Sequence, residues 1–127
     1  MPLKAPSVLI VDSSAAQGAS YARHFERRGF TAAVVTALLD AERKAVRMRP
    51  DVLMIDVVSL SEAEADIKRL RTLPTLLKTR IVVLAKRASA EQVEQLLAAG
   101  AHELVLTPHM TPPHVVSHIE QTLKRAT

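Results

Sequence analysis

The chain has 127 residues and a formal net charge of +4, with 17 Lys and Arg against 13 Asp and Glu, and it contains no cysteine. That length suits a single domain, 1–127, with a sizeable core, and the missing cysteine excludes a disulfide framework, a thiolate metal site and a cysteine nucleophile. Tyr21, Phe25 and Phe30 are the only aromatic residues, too few to build the stacking platform of a single-strand nucleic-acid binder.

Strand and helix signals alternate from end to end. The first strand is expected at about Ser7 to Val11. A helix from about Ala15 to Arg28 follows, with Ala15, Ala19, Ala22 and Phe25 at helical spacing and Gly29 placed as its C-terminal glycine. Phe30 to Val35 reads as the second strand, and Leu38 to Met48 as a second helix stopped by Pro50. Val52 to Ile55 is the third strand. Ser61-Glu62-Ala63-Glu64 has the form of a capping box opening the third helix, which buries Ala63, Ile67 and Leu70 and ends near Pro74. Ile81 to Leu84 is the fourth strand. Ser89-Ala90-Glu91-Gln92 is a second capping box, and Gly100 closes that helix. Leu104 to Leu106 is the fifth strand. Thr111-Pro112 caps a last helix that buries Val115, Ile119 and Leu123.

Strands this short and this apolar are buried on both faces. With a helix after each strand, the economical fold is α/β: a doubly wound, five-stranded parallel sheet of flavodoxin or receiver type in the order 2-1-3-4-5. The ends of strands 1 and 3 then lie side by side at the switch point, where such sheets place their sites. Strand 1 ends in Asp12 and strand 3 in Asp56, whereas strands 4 and 5 end in the uncharged Ala85 and Thr107.

Other signals point to no chemistry. The basic residues are scattered as pairs such as Arg27-Arg28 and Lys68-Arg69, which reads as solvated helix faces, and no nucleic-acid-binding motif is visible. Met1-Pro2-Leu3-Lys4 lacks the apolar stretch of a signal peptide, and no run is long enough to span a membrane. A cytoplasmic protein is the default.

Val8-Leu9-Ile10-Val11-Asp12, Arg49-Pro50-Asp51-Val52-Leu53-Met54-Ile55-Asp56, Ala98-Ala99-Gly100-Ala101-His102-Glu103 and Thr107-Pro108 stand in order along the chain. Together they resemble the receiver domain of bacterial two-component response regulators over essentially the whole length. The resemblance implies that Asp56 is equivalent to the phosphoryl-accepting aspartate and that Asp12 belongs to the acidic cluster that binds Mg2+. The departures from the pattern are Ser13 in place of a second acid, Ala85 in place of a Thr or Ser, and Thr107 in place of the lysine. Leu104 replaces the switching aromatic, and Lys86 replaces a small residue. With two carboxylates instead of three, Mg2+ binding is expected to be weakened or lost. With Thr107 for lysine, a preorganised positive charge worth about 3 kcal/mol of barrier is missing.

The expected function is therefore that of a degenerate receiver, a pseudo-receiver. It would act as a protein-protein interaction module in bacterial signal transduction, without normal Mg2+-dependent aspartyl phosphorylation. Its partner would be a kinase, an effector or a motility or chemotaxis-type component. The resemblance puts the contact surface on the fourth helix, fifth strand and fifth helix, where Val93, Leu97, Leu104 and Leu106 offer apolar material and a homodimer is plausible. The alternative is an active phosphoryl-accepting receiver with Asp56 as acceptor in a phosphorelay. Lys86 is expected in solvent. The competing placement has its ammonium reaching Asp56 or Asp12 in the metal's stead. His109, His114 and His118 read as a surface histidine face rather than a metal site. Ser13-Ser14 has no Gly-x-Ser-x-Gly elbow and no triad around it, so no enzyme is expected.

Overall fold

The computed structural model describes residues 4–126. Five strands alternate with five helices: β1 (Ser7–Val11), α1 (Ala15–Arg27), β2 (Thr31–Val35), α2 (Leu38–Met48), β3 (Val52–Asp56), α3 (Leu60–Arg71), β4 (Arg80–Ala85), α4 (Ala90–Ala99), β5 (Glu103–Leu106) and α5 (Pro112–Ala126). Short 3-10 turns at Pro74–Leu76 and Thr107–His109 precede β4 and α5. All strand pairs are parallel, and the order is β2-β1-β3-β4-β5, as expected for the doubly wound arrangement.

The continuous apolar character of the strands has a direct cause. Successive side chains leave a strand on opposite faces, and here both faces are covered. Leu9, Leu53, Ile55 and Ile81 enter a core closed by α2, α3 and α4, chiefly through Ala41, Ala45, Ile67, Leu70 and Leu96. Their neighbours Ile10, Met54, Val82 and Leu84 enter a second core closed by Phe25 of α1 and by Val115 and Ile119 of α5. β2, at the sheet edge, stays half-exposed.

Several helix ends differ in detail from the sequence pattern. The buried stripe of α1 is Gly18, Tyr21, Ala22 and Phe25, while Ala15 is exposed in the first turn. Gly18 is buried because α1 lies against β2: a Cβ at that position would come within 2.6 Å of Val34 Cγ1. Gly29 does follow α1 with φ 88°. Phe30 precedes β2 rather than opening it, and packs edge-on against Phe25 at 5.0 Å. The Ser61 capping box does not form. α3 begins at Leu60 after Ser59, which makes no side-chain cap, and the two serine hydroxyls bond each other at 3.2 Å. The Ser89 box forms in full, with Gln92 N–H donating to Ser89 Oγ and Ser89 N–H donating to Gln92 Oε1.

One side chain ties the far end of the sheet together. The guanidinium of Arg71, at the end of α3, donates to the carbonyl oxygens of Leu76 at 2.8 Å, Thr79 at 3.1 Å and Gly100 at 2.7 Å. It also lies 3.1 Å from His102 Nδ1. That nitrogen accepts the N–H of Ile81 at 3.1 Å. The turns leading into β4 and β5 are thus held by one planar cation.

Candidate functional site: an acidic cleft at the carboxyl edge of the sheet

Val11 of β1 is paired with Ile55 of β3, so the next residues, Asp12 and Asp56, stand at matching positions on neighbouring strands. The parallel sheet therefore places both carboxyl groups in one cleft. The cleft has a volume of about 560 Å3 and is bordered also by Ser13, Gln17, Ala85 and Lys86.

Asp12 is 2% exposed. Its Oδ1 accepts the N–H of Ser14 at 2.9 Å, and Ser14 Oγ in turn accepts the N–H of Gln17 at 3.2 Å as the N-cap of α1. Ser14 thus serves both the turn and the cap. Asp12 Oδ2 is buried without any hydrogen-bond partner.

Asp56 is half-buried. Its Oδ2 accepts a hydrogen bond from Gln17 Nε2 at 2.6 Å. Burial raises the Asp56 pKa above the ordinary carboxylate value, and the adjacent Asp12 raises it further by its charge and by accepting a hydrogen bond from the protonated form, while the Gln17 bond and the Lys86 charge act against them. Tyr21, one helical turn beyond Gln17, has a raised phenol pKa, first from burial and then from the charges of Asp56 and Asp12.

The remaining residues singled out in the sequence are neutral or turned to other partners. Ala85 is buried and presents only a methyl group. Thr107 Oγ1 donates to the Ala85 carbonyl at 3.4 Å, so its hydroxyl serves the β4 backbone. Leu104 is half-buried and packs into the core on the α2–α4 side. Ser13 is exposed at the rim. Lys86 is exposed, and among the described residues it forms no ion pair with Asp12 or Asp56. The group seated on Asp56 is the amide of Gln17.

Gln17 carried no mark in the sequence pattern. It is one polar residue among several on an exposed helix surface. The available signal was positional: it lies in the first turn of the helix that leaves β1, directly over the carboxyl edge of the sheet.

The histidines do not converge. His118 Nε2 contacts Glu103 Oε2 across α5 and β5, and Glu120 pairs with Arg28 at 2.7 Å. Among the described residues no group of three His, Cys, Asp or Glu side chains is arranged to hold a metal ion. Asp12 and Asp56 form a two-carboxylate set, and the unpartnered Asp12 oxygen suits a hard cation that keeps most of its waters. The residues fit such an ion with fewer charges than a firmly held site provides.

A response regulator of Thermotoga maritima superposes with a TM-score of 0.83 at 21% identity, covering 95% of this chain and 99% of its own. A chemotaxis response regulator of Vibrio cholerae does so at 0.81 and 22%, covering 93% and 98%. The fold is that of a response-regulator receiver domain. An atypical orphan response regulator, described as having a phosphorylation-independent regulatory mechanism, has the same receiver fold at a TM-score of 0.79 and 19% identity, covering 93% and 95%. No protein-family model matches the chain, and no curated protein does. Among the described residues no helix is long and apolar enough to cross a membrane.

Proposed function

We propose that this chain is a degenerate receiver that works by binding a signalling protein, without normal Mg2+-dependent phosphorylation of Asp56. The observation that carries the reading is the set of groups around Asp56. Its oxygen is held by the neutral Gln17 amide, Ala85 contributes only a methyl, and Thr107 brings an uncharged hydroxyl with a long 3.4 Å contact to the Ala85 carbonyl. Phosphoryl transfer to a carboxylate depends on positioned positive charge more than on covalent chemistry. Loss of one preorganised donor of that kind costs about 3 kcal/mol, a hundredfold or more in rate.

Mg2+ would be held by Asp12 and Asp56 and would neutralise charge on phosphoryl oxygens. With two carboxylates the ion would be weakly held, and among the described residues no cation is paired to either carboxylate to share that work. The readout is equally altered, since Leu104 is an aliphatic group packed in the core where an aromatic would rotate.

The contact surface we favour is α4, β5 and α5. Leu97 and Leu106 are each 43% exposed there, while Val93 and Leu104 are half-buried. A kinase, an effector, a chemotaxis-type component or a second copy of the chain would dock on this face, in the cytoplasm. The atypical orphan regulator of the same fold lends support to operation without phosphorylation.

The second reading, an active receiver that accepts phosphate on Asp56, is favoured by the side-by-side carboxyls and by the unpartnered Asp12 Oδ2. Incubation with acetyl phosphate and Mg2+, followed by intact mass, separates the two. Unmodified protein supports the degenerate receiver. A stoichiometric phosphoryl adduct absent from Asp56→Asn establishes the active one.

A further inference from the structure

We propose that Gln17 weakens the hold of the Asp12–Asp56 pair on a divalent cation, because its side-chain amide engages one of the two Asp56 oxygens on which the ion would draw. The inference rests on reading the cleft as a cation pocket weakened by its missing third carboxylate, and names a residue that weakens it further.

Three features place the amide there and keep it there. Gln17 Nε2 donates to Asp56 Oδ2 at 2.6 Å. The Gln17 backbone is fixed, its N–H donating to the Ser14 cap at 3.2 Å, and Ser14 is itself anchored by its N–H to Asp12 Oδ1 at 2.9 Å. The next residue, Gly18, lies so close to β2 that a Cβ would meet Val34 Cγ1 at 2.6 Å. The first turn of α1 is thus anchored to Asp12 and packed closely on β2, and rotation of the Gln17 side chain is the direct way for the amide to leave Asp56.

The consequence is competitive. A small divalent ion needs carboxylate oxygen in its inner sphere at short range and in near-octahedral geometry. Asp12 Oδ2 makes no hydrogen bond in the structure, but one of the two Asp56 oxygens, Oδ2, already serves as an acceptor for the amide. The amide supplies a hydrogen bond without a charge, so it occupies the position without neutralising the pair. An ion that draws on that oxygen competes with a hydrogen bond to an ionised group, and losing the bond is worth about tenfold in affinity.

The test is titration calorimetry of Mg2+ and of Mn2+ into the full chain and into two variants. Gln17→Ala removes the amide on an exposed helical position where Ala is well tolerated, and is expected to tighten both ions by about tenfold. Gln17→Glu puts a third carboxylate at the same reach and is expected to tighten them further. The proposal stands if both variants bind more tightly. It is overturned if Gln17→Ala leaves the affinity unchanged or lower, and equally if Gln17→Glu gives no gain, since position 17 would then not reach the ion. Ion-dependent thermal shifts, read on the same three proteins, must rank in the same order. An acetyl phosphate adduct on the natural chain would sink the functional reading alone, leaving the Gln17 comparison intact.

Discussion

Asp12 and Asp56 extend from the paired residues Val11 and Ile55 of adjacent parallel strands, so two carboxyl groups share one cleft with no cation paired to either among the described residues. The stability of the domain therefore depends on pH through Asp56. Burial, and next the Asp12 charge, raise its folded-state pKa above the ordinary 3.8. The folded state then binds more protons than the unfolded state, and stability falls as pH rises from that ordinary value through the folded-state pKa. Above the folded-state pKa the penalty is fully present. Asp56→Asn is expected to raise the melting temperature at pH 7, with a smaller gain at pH 4. Calorimetry at the two pH values checks this, and an equal or larger gain in acid would contradict it.

His102 works in the opposite direction. Burial and the charges of Arg71 and Arg80 lower its pKa, and its Nδ1 serves as an acceptor for Ile81 N–H. The folded state therefore binds fewer protons, and this contribution to stability is fully present above the ordinary histidine value of 6.5 and is lost as pH falls through the folded-state pKa. His102→Gln keeps an acceptor but cannot titrate. The natural chain should lose stability relative to this variant as pH falls from 7 to 5, as measured by urea unfolding. Parallel pH profiles would refute the assignment.

Arg71 is expected to be costly to replace. Its guanidinium satisfies the carbonyls of Leu76, Thr79 and Gly100 at once. A lysine cannot reproduce that fork, so Arg71→Lys should destabilise by about 2 kcal/mol and Arg71→Ala by at least as much. A change within a few tenths of a kcal/mol in chemical denaturation would show the clamp to be ornamental. The cleft is distant from this clamp, so metal affinity should be unaffected.

Much of the architecture was legible because it follows from burial. Runs such as Val8–Val11 and Ile81–Leu84 are apolar at every position because both faces of the sheet are covered, and the strand order brings Asp12 beside Asp56. The contacts that depend on a particular tertiary approach were not legible. Gln17 is significant only because α1 starts over the end of β3. The reach of Arg71 to Gly100 joins residues 29 apart in the chain. Lys86 follows β4 at the cleft rim, yet its neighbours in sequence say nothing about where a long exposed side chain settles.

Gly18 illustrates the same limit and yields a direct test. Helix propensity alone favours Gly18→Ala by about 1 kcal/mol. The new methyl would lie 2.6 Å from Val34 Cγ1, and a β-branched side chain has little freedom to yield. Net destabilisation of about 1–2 kcal/mol is expected. Combining it with Val34→Ala should recover a substantial part of that loss, giving a coupling energy of about 1 kcal/mol in a double-mutant cycle. Additive effects would place α1 farther from β2 than described.

The two serine motifs that look alike in sequence should behave differently on substitution. Ser89 makes both halves of a capping box with Gln92, so Ser89→Ala should cost about 1 kcal/mol. Ser61 is inside α3, not before it, and its hydroxyl meets only Ser59 Oγ at 3.2 Å. The Ser59 side chain makes no cap to the helix. Removing either hydroxyl exposes no buried donor, so Ser59→Ala and Ser61→Ala should each change stability by less than about 0.5 kcal/mol. Urea unfolding of the three single variants measures the contrast directly. A loss at Ser61 as large as that at Ser89 would mean that α3 starts later and that the Ser61–Glu64 box forms after all. The loop from Asp56 to the helix would then be longer, and the wall of the acidic cleft would have to be redrawn.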